Sequence, residues 1–361
     1  MLESGFDGMK PIYPMYELND PNQIGLYDFV NIDETPNSVW SFFSGGGLMD
    51  EGFKQAGYDV VLANEIDKAA CQIHKDNMPQ VDLVQESIHR LSVKDLLLKH
   101  GRPEVICGGF PCTPYSKAAN MNGTRLHDNN HKNMNNYTKY ASLGGDLFLH
   151  YVRMVAYTQP KAFVVENVME LTGMRIIMEA LKDMPCTRTG EKFGTYYNLT
   201  YTKVNTSKFG LPQNRERLFV IGVAKNPNGK PPLPEAETRL HHVPGEILEY
   251  EPDVAGITSE LPNYIKKRMN GGYRDKPAIK GIGKDIIANT CVAHYARDQG
   301  TQMVDRGDGL ITPYSVREYG NLQGIPSDWK LPNAKSSYRV IGNGVSVPVA
   351  NSVARLVRQI A

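Results

Sequence analysis

Residues 38–65 hold the feature that most constrains the fold: a strand, a glycine-rich turn, a helix, a second strand and then an acid. Ser38 to Phe43 (SVWSFF) reads as a strand, Ser44-Gly45-Gly46-Gly47-Leu48 as the turn, and a helical pattern runs on through Ala56-Gly57. Asp59 to Asn64 (DVVLAN) is strand-like again and ends on Glu65, 20 positions after Gly45. Glycines let the backbone approach a ligand closely, and an acid at that distance accepts hydrogen bonds from ribose hydroxyls. No Gly-Lys-Ser/Thr follows, so a nucleoside without a triphosphate grip fits better than a nucleoside triphosphate. A plain βα connection carries such glycines too, and the unit argues for an α/β sheet more strongly than for a ligand.

Glu104-Val105-Ile106-Cys107 is short, apolar and β-branched, as a buried parallel strand is. Gly108-Gly109-Phe110-Pro111 then ends it in a stiff turn carrying Cys112, at the strand end where α/β sheets do chemistry. Alone, Cys112 also reads as a small buried hydrophobe. Lys161 to Val165 (KAFVV) is a further strand delivering Glu166-Asn167-Val168, and Pro212-Gln213-Asn214-Arg215-Glu216-Arg217 leads into the strand Leu218 to Val223. A glutamate behind a buried strand is costly unless paired or functional. Two arginines at alternate positions share one face, to pair with that glutamate, grip phosphate or form a structural ion-pair network.

These runs, with Arg317-Glu318, Leu322-Gln323-Gly324-Ile325-Pro326 and Gly342-Asn343-Gly344-Val345 behind them, stand in the order found in DNA (cytosine-5)-methyltransferases. The chain resembles that family from about Ser38 to its C-terminus. The resemblance implies an α/β, Rossmann-like, S-adenosylmethionine-dependent methyltransferase fold. Its mostly parallel sheet has helices on both faces, with a smaller, irregular target-recognition domain across a DNA cleft. It also implies that Cys112 adds to carbon 6 of cytosine, since only a thiolate does that job. Glu166 then holds or protonates ring nitrogen 3, and Arg215 and Arg217 steady the base, Arg217 in contact with it. A target inside the duplex must be flipped out.

By the same resemblance S-adenosylmethionine lies on Phe43, Gly45, Gly47, Glu65, Ile66, Ser87, Ile88, Gly109, Pro111, Leu147, Asn343 and Val345. Several features depart from the family pattern, among them Thr113-Pro114-Tyr115-Ser116 after Cys112, the long loop that follows, and two positions at this site. Ile66 stands where an aromatic often covers the adenine, and Ser87, beside Glu86, stands where an acid reads the adenine amino group. The DNA contacts expected are Ser116, Arg125, Gln213, Arg268, Arg274, Lys276, Lys284, Thr290 and Arg297. Thr290 matches a threonine near the flipped nucleotide in relatives.

Local charge bears on these contacts. The net charge is only +1, but Leu261 to Arg306 carries nine Lys or Arg against four Asp, after a stretch from Pro231 to Glu260 with seven acids and Arg239 alone. Basic side chains among glycine-rich loops suit a surface that tracks phosphate; a solvated charged face has the same composition. Thirty-three residues, rich in Asn, separate Cys112 from Asp146 and read as a long polar loop. His127 and His131 lie within it without a cysteine or acid at ligand spacing, so no metal is expected.

The organisation expected is an N-terminal extension over 1–37, a catalytic domain over 38–224, a recognition domain over 225–314 and a return to the first domain over 315–361. At 41% apolar content the 361 residues suffice for a large core. Five cysteines without Cys-x-x-Cys spacing suit a reducing compartment, and no basic-then-apolar leader or run of about 18 apolar residues is seen. A monomeric cytoplasmic enzyme is expected, acting on double-stranded DNA at the nucleoid of a prokaryote or phage host, with a cognate restriction endonuclease as an optional separate partner. The alternatives are an RNA cytosine-5 methyltransferase and a catalytically silent DNA-binding relative. Both fit less well, given the sizeable recognition interval and the retention of Cys112, Glu166, Arg215 and Arg217 together.

Overall fold

A computed structural model describes residues 32–111, 147–168, 181–182, 186, 191–225, 263, 279–281, 287–306 and 311–360. Its first half runs β1 (Glu34–Phe42), α1 (Leu48–Gln55), β2 (Asp59–Glu65), α2 (Lys68–Asn77), β3 (Asp82–Gln85), α3 (Val93–His100) and β4 (Arg102–Gly108). Then come α4 (Leu147–Thr158), β5 (Ala162–Asn167), the one-turn α5 (Phe193–Tyr196), β6 (Tyr197–Asn205) and β7 (Glu216–Ala224). These strands form one seven-stranded sheet in the order β3-β2-β1-β4-β5-β7-β6. Neighbours pair parallel except at β7, which is antiparallel to both β5 and β6.

The alternation of side chains along the strands divides the core into two layers. Val39, Val105, Cys107, Ala162, Val164, Phe219 and Ile221 face one layer, against α1 and the C-terminal helix. Trp40, Phe42, Ile106, Phe163, Val165, Leu218 and Val220 face the other, against α3 and α4. The expected fold class is therefore the observed one, a mostly parallel sheet with helices on both faces.

Topology places the working edge. From β1 the chain steps outward to β2 and β3, then returns to β4 on the other side, so β1 and β4 flank a switch point whose carboxyl ends open a crevice. The antiparallel β7 enters the sheet on the side where its neighbour β5 leaves it, pairing Glu166 with Phe219 and Asn167 with Leu218. That reversal carries Arg215, just ahead of β7, and Arg217, its second residue, to the end of β5 where Glu166 stands.

A second, three-stranded sheet, β8 (Ile279–Gly281), β9 (Met303–Asp305) and β10 (Ile311–Thr312), follows in the order β10-β9-β8. α6 (Val316–Asn321) begins in a capping box between Ser315 and Glu318, and Glu318 also takes Arg306 in two bonds of 2.9 Å. Arg317 donates to the carbonyls of Pro326 and Trp329, so the Arg317-Glu318 pair is scaffolding.

α7 (Lys335–Asn343) and α8 (Val347–Ile360) close the chain back onto the first sheet. Gly342-Asn343-Gly344 reads as a tight turn in the sequence. Here Gly342 and Asn343 are the last turn of α7 and Gly344 is its cap. The glycine at 342 is needed for close approach, since a Cβ there would stand 2.5 Å from the carbonyl carbon of Val292.

Candidate active site

The crevice at the strand ends is a cleft of about 360 Å³. Of the twelve residues expected around the methyl donor, eleven line it: Phe43, Gly45, Glu65, Ile66, Ser87, Ile88, Gly109, Pro111, Leu147, Asn343 and Val345. Gly47 does not. It caps the N-terminus of α1 at φ 88° and rests on the His74 ring. Beneath it His74 and Asp50 are wholly buried and meet at 2.8 Å, with Ser41 donating to the other Asp50 oxygen at 2.5 Å. Gly47 thus shapes the turn from behind.

At the donor end, Glu65 draws the turn together. Its Oε2 accepts from Gly45 N at 2.9 Å, and its Oε1 accepts from Ile66 N and Asp67 N at 2.8 Å each. A carboxylate oxygen has two lone pairs, so Oε2 retains one for a hydroxyl in the cleft. Gly45 has φ 57°, and nothing lies within 4 Å of where its Cβ would be, leaving that wall open to a ligand. Ile66 is 65% exposed at the rim. The backbone cradle, the spare acceptor and the apolar rim fit a nucleoside such as that of S-adenosylmethionine.

Three side chains that sequence reasoning missed, the Asp67–Arg339 pair and Asn64, brace this end. Asp67 caps α2 by accepting from Ala70 N, and it takes Arg339 of α7 in two bonds of 2.8 and 3.0 Å. The Arg339 hydrogen bond holds the Asp67 carboxyl below the usual carboxylate range. Both line the cleft. Asp67 directly after Glu65-Ile66 is a legible cap signal, whereas Arg339, 272 positions away, carried none. Asn64 is the second brace, buried at the end of β2 and donating to the carbonyls of Val84 and Glu86.

At the other end Asn167 donates to the Phe110 carbonyl at 2.9 Å and so fixes the turn that leads out of β4. Cys112 itself lies outside the described residues. Glu166 is 7% exposed, and its Oε1 lies 3.1 Å from Nε of Arg217. Burial pushes the Glu166 carboxyl above its ordinary value, against the pull of Arg217 and then Arg215. Arg215 is 2% exposed and donates only to backbone carbonyls, those of Cys291, Gly342 and Gly344 at 2.8, 3.1 and 2.9 Å. Burial lowers its guanidinium to about 10. It lines the cleft, and its bonds join the lead-in to β7 to the Cys291 segment and to the end of α7.

Gln213, expected to touch DNA, is fully buried. Its amide donates to Leu322 O and Gln323 Oε1 and accepts from Cys291 N, so both amide atoms are engaged inside the fold. Thr290 is half-buried and donates to Asn214 O at 2.7 Å, beside the short bridge between Gln213 and Ala288. Arg297 is exposed. Ser116, Arg125, Arg268, Arg274, Lys276 and Lys284 lie outside the described residues.

A family model for C-5 cytosine-specific DNA methylases matches residues 38–359. Type II methyltransferase M.SsoII of Shigella sonnei is 28% identical over 359 residues, covering 91% of this chain and 83% of that protein. M.NgoPII of Neisseria gonorrhoeae, also a Type II methyltransferase, is 26% identical over 360 residues, covering 90% and 96%. Among solved structures, the Dnmt2 methyltransferase of S. pombe superposes with a TM-score of 0.66 at 17% identity, over 89% of this chain and 98% of that one. The Entamoeba histolytica methyltransferase EhMeth does so with a TM-score of 0.66 at 16% identity, over 89% and 98%. At those identities the likeness speaks for the fold alone. With the match running from β1 through the C-terminal return, the chain belongs to the C-5 cytosine-specific DNA methylase family and is an enzyme that methylates cytosine in DNA.

Proposed function

We propose that the protein is a sequence-specific DNA cytosine-5 methyltransferase that uses S-adenosylmethionine, flips its target cytosine from the duplex and attacks it covalently with Cys112. The observation that carries this reading is the buried Glu166–Arg217 pair facing the same cleft as the Glu65 cradle. A nucleoside held at one end and a cytosine at the other would meet between them.

The Cys112 thiolate adds to carbon 6 of the base and makes carbon 5 nucleophilic. Bound S-adenosylmethionine supplies the methyl sulfonium that carbon 5 attacks. Glu166, kept protonated more readily by its burial, gives its proton to ring nitrogen 3 as charge enters the ring. Arg217 orients that carboxyl and faces the base; Arg215 acts through the segments it joins. Loss of the carbon-5 proton, with water the expected base, lets β-elimination release Cys112. The interval 225–314 reads the DNA, with Arg268, Arg274, Lys276, Lys284, Thr290 and Arg297 as the contacts. The working form is a cytoplasmic monomer, with a separate restriction endonuclease as an optional partner.

Incubation with mixed-sequence duplex DNA and S-adenosylmethionine, followed by bisulfite sequencing, tests this. Cytosines protected within one short motif, with protection lost in Cys112→Ala, are expected. A duplex bearing 5-fluorocytosine in that motif should trap the wild-type chain covalently. Donor binding without protection on DNA would overturn the reading in favour of an RNA substrate or a silent binder.

A further inference from the structure

We propose that His89 is a positioning residue for the methyl donor: it accepts the Ser87 hydroxyl proton, so that Ser87 turns its lone pairs toward the 6-amino group of the donor's purine. This deepens, and rests on, the S-adenosylmethionine reading of the cleft. A ribose held on Glu65 at the end of β2 directs its base outward, over the ends of β2 and β3, because β3 is the next strand in that direction. Ile66, Ser87 and Ile88 line the cleft there.

A carboxylate at this place is an acceptor only, and so favours an amino group without further help. A serine hydroxyl has one proton and two lone pairs, so it reads an amino or an oxo group according to where its proton points. Ser87 Oγ lies 2.9 Å from Nδ1 of His89. Neutral imidazole ordinarily carries its proton on Nε2, which leaves Nδ1 to accept from Ser87.

The surroundings keep the pair in register. Arg153 of α4 donates to the carbonyls of Ile88 and Leu91, on either side of His89, and so pins the turn with its positive charge close by. The His89 ring packs edge-on against His150 of α4, with centroids 4.0 Å apart and planes at 73°. Burial first, then the neighbouring His89 and Arg153, push the His150 imidazole down to about 3. On the other side Glu86 fixes the backbone, its Oε1 accepting from Ser87 N at 2.7 Å. His89 itself is exposed, so replacing it leaves the core intact.

The test is calorimetric binding of S-adenosylhomocysteine and of its hypoxanthine counterpart, which carries an oxo group at position 6. The wild type is expected to prefer adenine. In His89→Phe the Ser87 proton is released toward the cleft, and the adenine-to-hypoxanthine preference should fall roughly three- to tenfold, the worth of one hydrogen bond. His89→Asn offers an amide oxygen near Nδ1 and should restore the preference, while in Ser87→Ala the preference should no longer respond to His89→Phe. Binding of both ligands with an unchanged ratio, or an equal loss for both, overturns the role of His89 and leaves the donor reading standing. Failure of the wild type to bind either ligand overturns the donor reading itself.

Discussion

Nε of Arg217 lies 3.1 Å from Oε1 of Glu166, and the pair exists because the antiparallel β7 begins where β5 ends. Burial raises the Glu166 carboxyl and Arg217 opposes it. A carboxyl raised in the folded state binds its proton more tightly there than in the unfolded chain. Stability from this group is therefore full at low pH and declines as pH rises from the ordinary carboxylate range through the raised value. Arg217→Met removes the opposing cation and should raise Glu166 further, visible in its carboxyl carbon shift during an NMR titration. The variant should lose about 2 kcal/mol at neutral pH, less than a fully buried pair because 19% of the Arg217 side chain is exposed. The melting gap from wild type should narrow as the pH falls below the ordinary carboxylate range, where Glu166 becomes neutral in both proteins. A gap independent of pH would show that the ion pair does not set the cost.

Arg215 should behave differently. Its guanidinium spans the Cys291 carbonyl on one side and the Gly342 and Gly344 carbonyls on the other. Gly344 O keeps a bond from Gln323, so removal of Arg215 strips Cys291 O and Gly342 O of this donor. Arg215→Met is expected to cost about 2–4 kcal/mol in urea unfolding, from buried carbonyls left unpaired. Arg215→Lys should recover less than half of it, because one ammonium does not reproduce the fork that reaches both segments. Full recovery by lysine would mean that charge alone matters at this position.

The glycine turn separates stability from binding. Gly47 has φ 88°, and an added Cβ would stand 2.9 Å from Cδ2 of His74, a ring locked against Asp50. Gly45 has φ 57° with open space around its Cβ. Gly47→Ala should therefore destabilise by about 2–3 kcal/mol, from the left-handed backbone plus the collision, and Gly45→Ala by about 1 kcal/mol from the backbone alone. Binding of S-adenosylhomocysteine should fall out of proportion in Gly45→Ala, whose methyl enters the cleft. Thermal melts and calorimetry on the two variants check the ranking; the reverse order would place Gly47, not Gly45, at the ligand.

The interior of the sheet was legible because strands buried on both faces are short apolar runs. Val105-Ile106-Cys107, the run up to Val165 and the run from Leu218 need no partner to be recognised. The edge strands were not legible: β3 and most of β6 are half-exposed and carry polar residues that a loop carries equally well. β1 begins four residues before Ser38, in a polar stretch whose first residues, Glu34 and Thr35, pair with Arg102 and Pro103. At the site, the spacing from Gly45 to Glu65 and the Glu166 and Arg217 motifs placed both ends of the cleft. Gln213 misled because a lone glutamine ahead of Asn214-Arg215 has no periodicity to say whether it faces in or out. Arg339 was invisible because the contact that brings it to Asp67 exists only after the C-terminal return has folded back.

That contact is the last to test. Arg339 on α7 bridges to Asp67 at the start of α2, closing the rim of the cleft with a residue from the far end of the chain. The Asp67 carboxyl is held low, first by the Arg339 hydrogen bond. A depressed carboxyl adds stability that is full above the unfolded-state value and is lost as pH falls through the folded one. Arg339→Gln should let Asp67 titrate nearer its ordinary range. The melting gap from wild type should be constant above the ordinary carboxylate range and close as the pH falls below it. Because both side chains are a third or more exposed, or close to it, the gap itself should be small, and it should shrink further in high salt. The larger effect should fall on ligand affinity: with α7 no longer tied to α2, S-adenosylhomocysteine should bind more weakly and dissociate faster in stopped-flow fluorescence. An unchanged dissociation rate would mean that the Asp67–Arg339 pair is a surface ornament of the rim and does not close it.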